Sequence, residues 1–173
     1  MKRQLGAWLL LALGPLFAQP NGGSWAPLNF LMGEWVGEGG GEPGQGSGWF
    51  TFRQDLQGAI LRRENHAEYP AAKDRPAFSH DDLTIVYRDA AGKQLRASYF
   101  DNEGHVIQYV VNPREDGVQF LSEAAPGEPR YRLTYVKAGA DRVRIRFEIA
   151  PPGQPEAFRM YIEAKARRKR TPS

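Results

Sequence analysis

Apolar and polar residues alternate along most of the chain beyond residue 30. In residues 142–149, RVRIRFEI, every second residue is apolar, and residues 157–164, AFRMYIEA, repeat the pattern. A period of two places the apolar side chains on one face of a β-strand. The pattern predicts ten strands, at about residues 34–39, 48–55, 60–68, 81–87, 93–101, 105–112, 117–123, 130–137, 142–150 and 156–167. Only residues 27–32 suggest a helical turn.

Short turn sequences join these strands in order. Examples are DAAG at 89–92, DNEG at 101–104 and REDG at 114–117, whose residues favour tight turns. No long amphipathic helix can be written, which excludes a parallel βαβ fold. The predicted fold is therefore all-β, a ten-stranded antiparallel up-and-down β-barrel with a short N-terminal helical turn, because closure removes exposed strand edges. A Greek-key sandwich would need longer crossovers, for which the chain offers few candidates.

An up-and-down barrel places its connections alternately at two ends. The turns at one end are tight. The other end collects longer loops rich in glycine and proline, at residues 39–47, 69–80, 101–104, 124–129 and 151–155. Loops on a rigid scaffold commonly carry binding residues, so this end is the predicted mouth of the barrel. The predicted ligand-binding residues lie at or near it: His66, His80, Tyr99, His105 and Tyr109.

The first residues have the pattern of a secretory signal. Lys2 and Arg3 precede an apolar run at residues 5–17 that is too short to span a bilayer. We therefore expect a signal peptide at residues 1–18, a linker at 19–26, one barrel domain at 27–168 and a basic disordered tail at 169–173. This organisation predicts a secreted or periplasmic protein without stable membrane insertion. An N-terminal helix that stays packed on the fold is the alternative.

Charge and composition argue against several classes of function. The net charge is +3, but residues 19–164 carry 16 basic and 20 acidic side chains, so the basicity is terminal and no nucleic-acid partner is predicted. The absence of cysteine excludes disulfides, cysteine nucleophiles and thiolate zinc sites. No Gly-x-Ser-x-Gly sequence is present, which removes the common acyl-transfer machinery.

Residues 30–41, FLMGEWVGEGGG, resemble the opening of the nitrobindin-like heme-binding β-barrels. The chain is also similar to secreted lipocalin-like barrels of the calycin type, whose opening shares the Gly-x-Trp of Gly33 and Trp35. These two residues are predicted to be structural. The up-and-down order brings Arg167 to the closed end beside Trp35, where an arginine over the indole face is favourable.

The resemblance to nitrobindin implies ferric heme held by a histidine near the last strand. The matching residues here, 159–165, read RMYIEAK, and no histidine follows His105. Tyr161 could ligate iron, but its place in the alternation predicts that it faces outward. No metal or other cofactor is predicted from the residues themselves, and heme stays an alternative that depends on the resemblance.

These observations predict a protein that binds a small, largely apolar molecule in its lumen and acts as a monomer or homodimer. One alternative is a heme- or metal-dependent isomerase or oxidoreductase of nitrobindin type, in which two or all of the three histidines converge. A lumen lined by Arg63, Glu64 or Asn65 would favour a polar head group or a small reaction. The other alternative is a non-catalytic envelope protein whose barrel is filled by side chains.

Overall fold

The protein is a closed barrel of ten antiparallel strands that follow one another in sequence order. The computed structural model describes residues 25–39, 47–71, 73 and 76–170. The strands are β1 Gly33–Gly37, β2 Ser47–Asp55, β3 Ile60–Tyr69, β4 Phe78–Arg88, β5 Leu95–Asp101, β6 Val106–Arg114, β7 Gly117–Ser122, β8 Arg130–Lys137, β9 Arg142–Ala150 and β10 Arg159–Arg168. The predicted up-and-down barrel is confirmed, and β10 closes it by pairing with β1.

A 3₁₀ helix, Ala26–Leu31, forms the predicted helical turn. Its residues Leu28 and Leu31 are fully buried. Trp25, just before it, is also buried and donates a 2.9 Å hydrogen bond from Nε1 to the carbonyl of Gly58. Trp25 and Ala26, which the sequence placed in a linker, thus belong to the fold, and the helix lies at the end opposite the predicted mouth. A second 3₁₀ turn, Leu56–Gly58, joins β2 to β3.

Trp35 fills the closed end of the barrel. It is 1% exposed, its Nε1 donates to the Leu31 carbonyl at 2.7 Å, and its ring stacks on Phe50. The guanidinium of Arg168 lies 4.4 Å from the indole centroid and donates to the Phe30 carbonyl at 2.9 Å. This contact joins the first and last strands to the N-terminal helix.

The cation over Trp35 is Arg168, and the prediction of Arg167 was wrong by one position. Arg167 pairs with Val36 and is exposed, because successive residues of a strand point to opposite faces. Gly33 packs against Arg168: its φ is +106°, and a Cβ there would lie 3.1 Å from the Arg168 Nη1. Glycine adopts this positive φ without the steric cost that a side chain would bring, which explains the structural role predicted for Gly33.

A β-bulge interrupts the alternation at the start of β10. Met160 pairs with Glu148 and Ile162 with Phe147, so Tyr161 has no partner in the register. Met160, which the alternation placed inside, is 49% exposed. Tyr161 lies edge-on to Phe147 with ring centroids 6.2 Å apart, at the border of the interior. The bulge therefore moves Met160 to the outside, since one extra residue shifts the alternation, whereas Tyr161 is 63% exposed and agrees with its predicted outward position.

The termini of the predicted domain organisation are described only in part. Residues 1–18, the predicted signal peptide, and 171–173 of the predicted tail lie outside the described residues. Lys169 continues the pairing with β1 through a 2.8 Å hydrogen bond from its amide to the Glu34 carbonyl, so the fold extends beyond residue 168. Within the described part of the chain, no helix is long and apolar enough to cross a membrane.

Candidate functional site

The mouth half of the barrel encloses a cavity of about 510 Å³. This volume is in the range of small-molecule binding sites. The closed half is packed instead, with buried side chains that include Phe52, Leu61, Val86, Val118 and Tyr135. A barrel filled by its side chains along its whole length, one alternative from the sequence, does not fit this interior.

One wall of the cavity is apolar. It is formed by β8, β9 and β10, whose inward side chains pair across the strands: Leu133 lies opposite Phe147, and Phe147 opposite Ile162. The side chains that line this wall are Tyr131, Leu133, Ile145, Phe147, Ile149, Ile162 and Ala164. Tyr131 stacks on Phe147 with centroids 5.9 Å apart and ring planes within 5°. The wall is suited to the hydrophobic part of a ligand.

The facing wall is polar. The register across β3, β4 and β5 aligns Asn65, Asp82 and Asp101 in one row. A second row, two residues further from the mouth along each strand, aligns Arg63, Thr84 and Tyr99. The cavity-lining members of this set are Arg63, Asn65, Asp82, Tyr99 and Asp101. The two walls together give the cavity a hydrophobic side and a hydrogen-bonding side.

A buried ion pair anchors the polar wall. The guanidinium of Arg63 donates from Nη1 to Oδ1 of Asp82, and the two side chains are only 8% and 5% exposed. Burial acts to lower the pKa of Arg63, but the Asp82 carboxylate outweighs it and raises that pKa. A buried charge is tolerated when it is paired, so each member of this pair requires the other.

His80 extends the cluster toward the mouth. Its Nδ1 lies 2.9 Å from a Glu103 carboxylate oxygen, and its Nε2 lies 3.1 Å from the Tyr99 hydroxyl. The same Nε2 is 3.5 Å from Oδ2 of Asp82. The Asp82 carboxylate, assisted by Glu103, opposes the effect of burial and raises the pKa of His80 to about 9. At neutral pH His80 is thus an imidazolium whose two N–H groups both have acceptors.

Asp101 completes the cluster at the rim. The Tyr99 hydroxyl donates to its Oδ2 at 3.1 Å, and His105 Nδ1 lies 2.8 Å from the same oxygen. Its Oδ1 accepts from the amides of Glu103 and His105, so the side chain also closes its own turn. Burial acts to raise the pKa of Asp101, but the hydrogen bonds from His105 and Tyr99 keep it below its usual value.

The three histidines do not converge. His80 lies inside and His105 at the rim. The ring of His66 stacks on Trp49, with centroids 6.1 Å apart, and its Nδ1 lies 2.6 Å from Asp81. On β3, His66 lies an odd number of positions from the buried Arg63, so the two side chains point to opposite faces and the His66 ring lies on the outer side of the wall. His66 borders the cavity, but its ring is turned away from the lumen, so its role as a ligand-binding residue stays a prediction.

Tyr109, the remaining predicted ligand-binding residue, borders the cavity. It is 2% exposed and packs edge-on to the rings of Tyr99 and Phe120. Burial raises the pKa of its hydroxyl, which keeps the hydroxyl neutral. Its position in the lumen agrees with the expectation from the sequence.

The donor set does not fit heme or a metal ion. Both nitrogens of His80 are already engaged, Nδ1 with Glu103 and Nε2 with the Tyr99 hydroxyl, so neither is directed at an open coordination position. Tyr161 lies at the rim and is 63% exposed. Across the residues that the structure describes, no three His, Asp or Glu side chains form a group that could hold a metal ion.

Sequence reasoning missed part of the polar wall. Arg63, Asn65, Tyr99 and Tyr109 were considered as inward candidates, but Asp82 was not singled out as the partner of Arg63. Glu64, another candidate, has the opposite strand position and bonds Arg62 at 2.6 Å. The spacing of Arg63 and Asp82 across the predicted β3–β4 hairpin was the one signal in the sequence that could have paired them.

Neither known family models nor curated proteins match this chain. The function is therefore inferred from the chemistry of the two cavity walls.

Proposed function

We propose that the barrel binds a small amphipathic molecule in its lumen. The observation that carries this proposal is the division of one cavity of about 510 Å³ into an apolar wall and a polar wall. The ligand's hydrophobic body lies against Leu133, Ile145, Phe147 and their neighbours. Its polar head faces the cluster around Arg63 and Asp82. Removal of the body from water supplies most of the affinity, and the polar wall fixes the orientation.

The arrangement of the cluster favours binding over proton-transfer catalysis. A general base needs a free lone pair near the substrate. Both nitrogens of His80 have partners, the Tyr99 hydroxyl already donates to Asp101, and Asp82 is shared between Arg63 and His80. These ionisable groups therefore satisfy one another, and a ligand meets a fixed polar surface.

The proposal extends to the location of the protein. Residues 1–18 have the basic and apolar segments of a secretory signal, so we infer a carrier that works outside the cytoplasm. Its resemblance at residues 30–41 to nitrobindin-like and lipocalin-like barrels supports a lumen-binding role, since such barrels commonly hold their ligands inside.

The test is binding of diphenylhexatriene, an uncharged hydrocarbon whose fluorescence increases in apolar surroundings. We expect saturable binding at one site per barrel. Ala164→Phe places a phenyl ring on the cavity-lining face of β10 and is expected to reduce the affinity at least tenfold. Glu163→Phe adds the same ring one position away, on the outer face where Glu163 contacts Arg146, and is expected to leave the affinity unchanged.

Two results would contradict the proposal. One is the absence of saturable binding to the folded wild-type protein. The other is an equal loss of affinity in the Ala164 and Glu163 variants, provided that both keep the β-sheet circular dichroism and cooperative unfolding of the wild type.

A further inference from the structure

Two neutral side chains on the cavity wall have unused hydrogen-bonding capacity. Asn65 and Tyr109 both line the cavity. Among the described residues neither the Asn65 amide nor the Tyr109 hydroxyl has a hydrogen-bond partner. Tyr109 is 2% exposed to the outside, so the group best placed to bond its hydroxyl is a ligand inside the cavity.

The charged groups of the same wall are already paired. Asp101 accepts hydrogen bonds from Tyr99, from the His105 ring and from two backbone amides. Asp82 faces Arg63 and His80. Because Asp82 and Glu103 already face cations and Asp101 is fully hydrogen-bonded, their attraction for a further cation such as an ammonium group is reduced.

A carboxylate head is disfavoured for a different reason. The cavity is lined by three carboxylates, Asp82, Asp101 and Glu103. Of its cations, Arg63 and His80 each already contact a carboxylate, and Lys165 is exposed between the inward positions of Ala164 and Ala166 on β10. A fourth negative charge would be repelled by the existing ones in surroundings where charge interactions are stronger than in water.

We propose that the polar head of the ligand is uncharged, a hydroxyl or carbonyl group held by the Tyr109 hydroxyl and the Asn65 amide. The tyrosine hydroxyl donates and accepts, and the amide does both, so together they match an alcohol or a ketone. The ligand class is thus a long-chain or polycyclic alcohol or ketone. This inference rests on the proposed binding function and adds the chemistry of the head group.

The experiment compares three ten-carbon molecules that differ only in the head group. Displacement of bound diphenylhexatriene is measured at pH 7 with 1-decanol, decanoate and decylamine. We expect 1-decanol to bind at least tenfold more tightly than either charged molecule. A tighter displacement by decanoate or decylamine overturns the inference. Failure of the hydrocarbon probe itself to bind would instead contradict the proposed function, so the two failures are distinguishable.

Variants test the two assigned residues. Tyr109→Phe removes one hydroxyl and keeps the ring, and is expected to weaken 1-decanol binding roughly three- to tenfold while leaving the affinity for the hydrocarbon probe unchanged. Tyr87→Phe is the matched control, because Tyr87 pairs with Arg96 on the outer face and should change neither. An unchanged 1-decanol affinity in Tyr109→Phe overturns the assignment of this residue.

Asn65→Asp tests the charge argument with a side chain of the same shape. The added carboxylate is expected to favour the cation over the anion, so that decylamine gains affinity at least fivefold relative to its wild-type value and decanoate loses affinity. An unchanged ranking with hydrocarbon binding intact would show that the head group does not reach Asn65 and would overturn its role.

Discussion

Arg63 and Asp82 form an ion pair inside the barrel wall, with side chains that are 8% and 5% exposed. The pair lies where the packed half of the interior meets the cavity, beside the ring of Phe50, whose centroid is 5.6 Å from the guanidinium carbon. Separating two such charges from water is costly, and their attraction offsets this only while both are present. The pair therefore makes the stability of the barrel sensitive to either residue.

The first prediction concerns this dependence. Asp82→Asn should destabilise the protein by about 3–5 kcal/mol, because it leaves the guanidinium buried without a charge partner. The double variant Arg63→Met with Asp82→Leu should be more stable than Asp82→Asn, since it removes both charges. Urea unfolding of the wild type, Arg63→Met, Asp82→Leu and the double variant measures the coupling between the two charges. Additive losses in the double variant would show that the two charges act independently.

The second prediction is a pH dependence through His80. The pKa of His80 is raised from 6.5 to about 9 in the folded protein, so its stabilising contribution is complete below about pH 6.5 and is lost as the pH rises through 9. The contribution is up to about 3 kcal/mol. The wild type should therefore be more stable than His80→Gln at pH 6, and this difference in the free energy of unfolding should decrease between pH 6 and 9.5. A constant difference would place the pKa of His80 near its ordinary value.

The third prediction separates two adjacent arginines. Arg168→Ala should lower the free energy of unfolding by about 1–3 kcal/mol, because it removes the cation over Trp35 and the donors to the Met32 and Phe30 carbonyls. Arg167→Ala, on the outer face, should change it by less than about 0.5 kcal/mol. Thermal unfolding followed by circular dichroism provides the comparison. Equal losses would contradict the assigned strand register.

The fourth prediction concerns His66. Its ring lies on the outer side of the wall against Trp49 and Asp81. His66→Ala should therefore leave the affinity for diphenylhexatriene within twofold of the wild type. His80→Gln should instead alter the affinity for 1-decanol, because the His80 ring contacts the Tyr99 hydroxyl on the polar wall of the cavity. Loss of binding in His66→Ala alone would restore this residue to the site.

The number and order of the strands could be predicted because most strands bury one face. In β9, Val143, Ile145 and Phe147 point inward and the arginines between them point outward. In such a strand the alternation itself indicates which side chains point into the barrel. Turn sequences rich in glycine and aspartate supplied the connections, and the strand order of an up-and-down barrel followed from them.

The polar wall could not be predicted in the same way because β4 reverses the usual pattern. Its inward residues include His80 and Asp82, whereas Leu83 lies outside with 37% exposure. On β3, Arg62 and Arg63 are adjacent and both charged, so the alternation gives no orientation. Only the ion pair with Asp82, which lies diagonally across from Arg63 on β4, shows which arginine is inside. The apolar–polar pattern also gives no sign of the bulge at Tyr161. This unpaired residue reverses the inward and outward positions of the β10 residues before it.

The contact between Arg168 and Met32 joins residues 136 positions apart, and this separation limits the order in which the barrel can fold. Closing so long a loop carries a large entropic cost, and non-local pairing slows folding. Until its last strand emerges from the ribosome, the nascent chain has an open sheet whose first and ninth strands expose unpaired edges. The barrel therefore closes only when β10 is available to pair with β1, and both sheet edges stay unpaired until then.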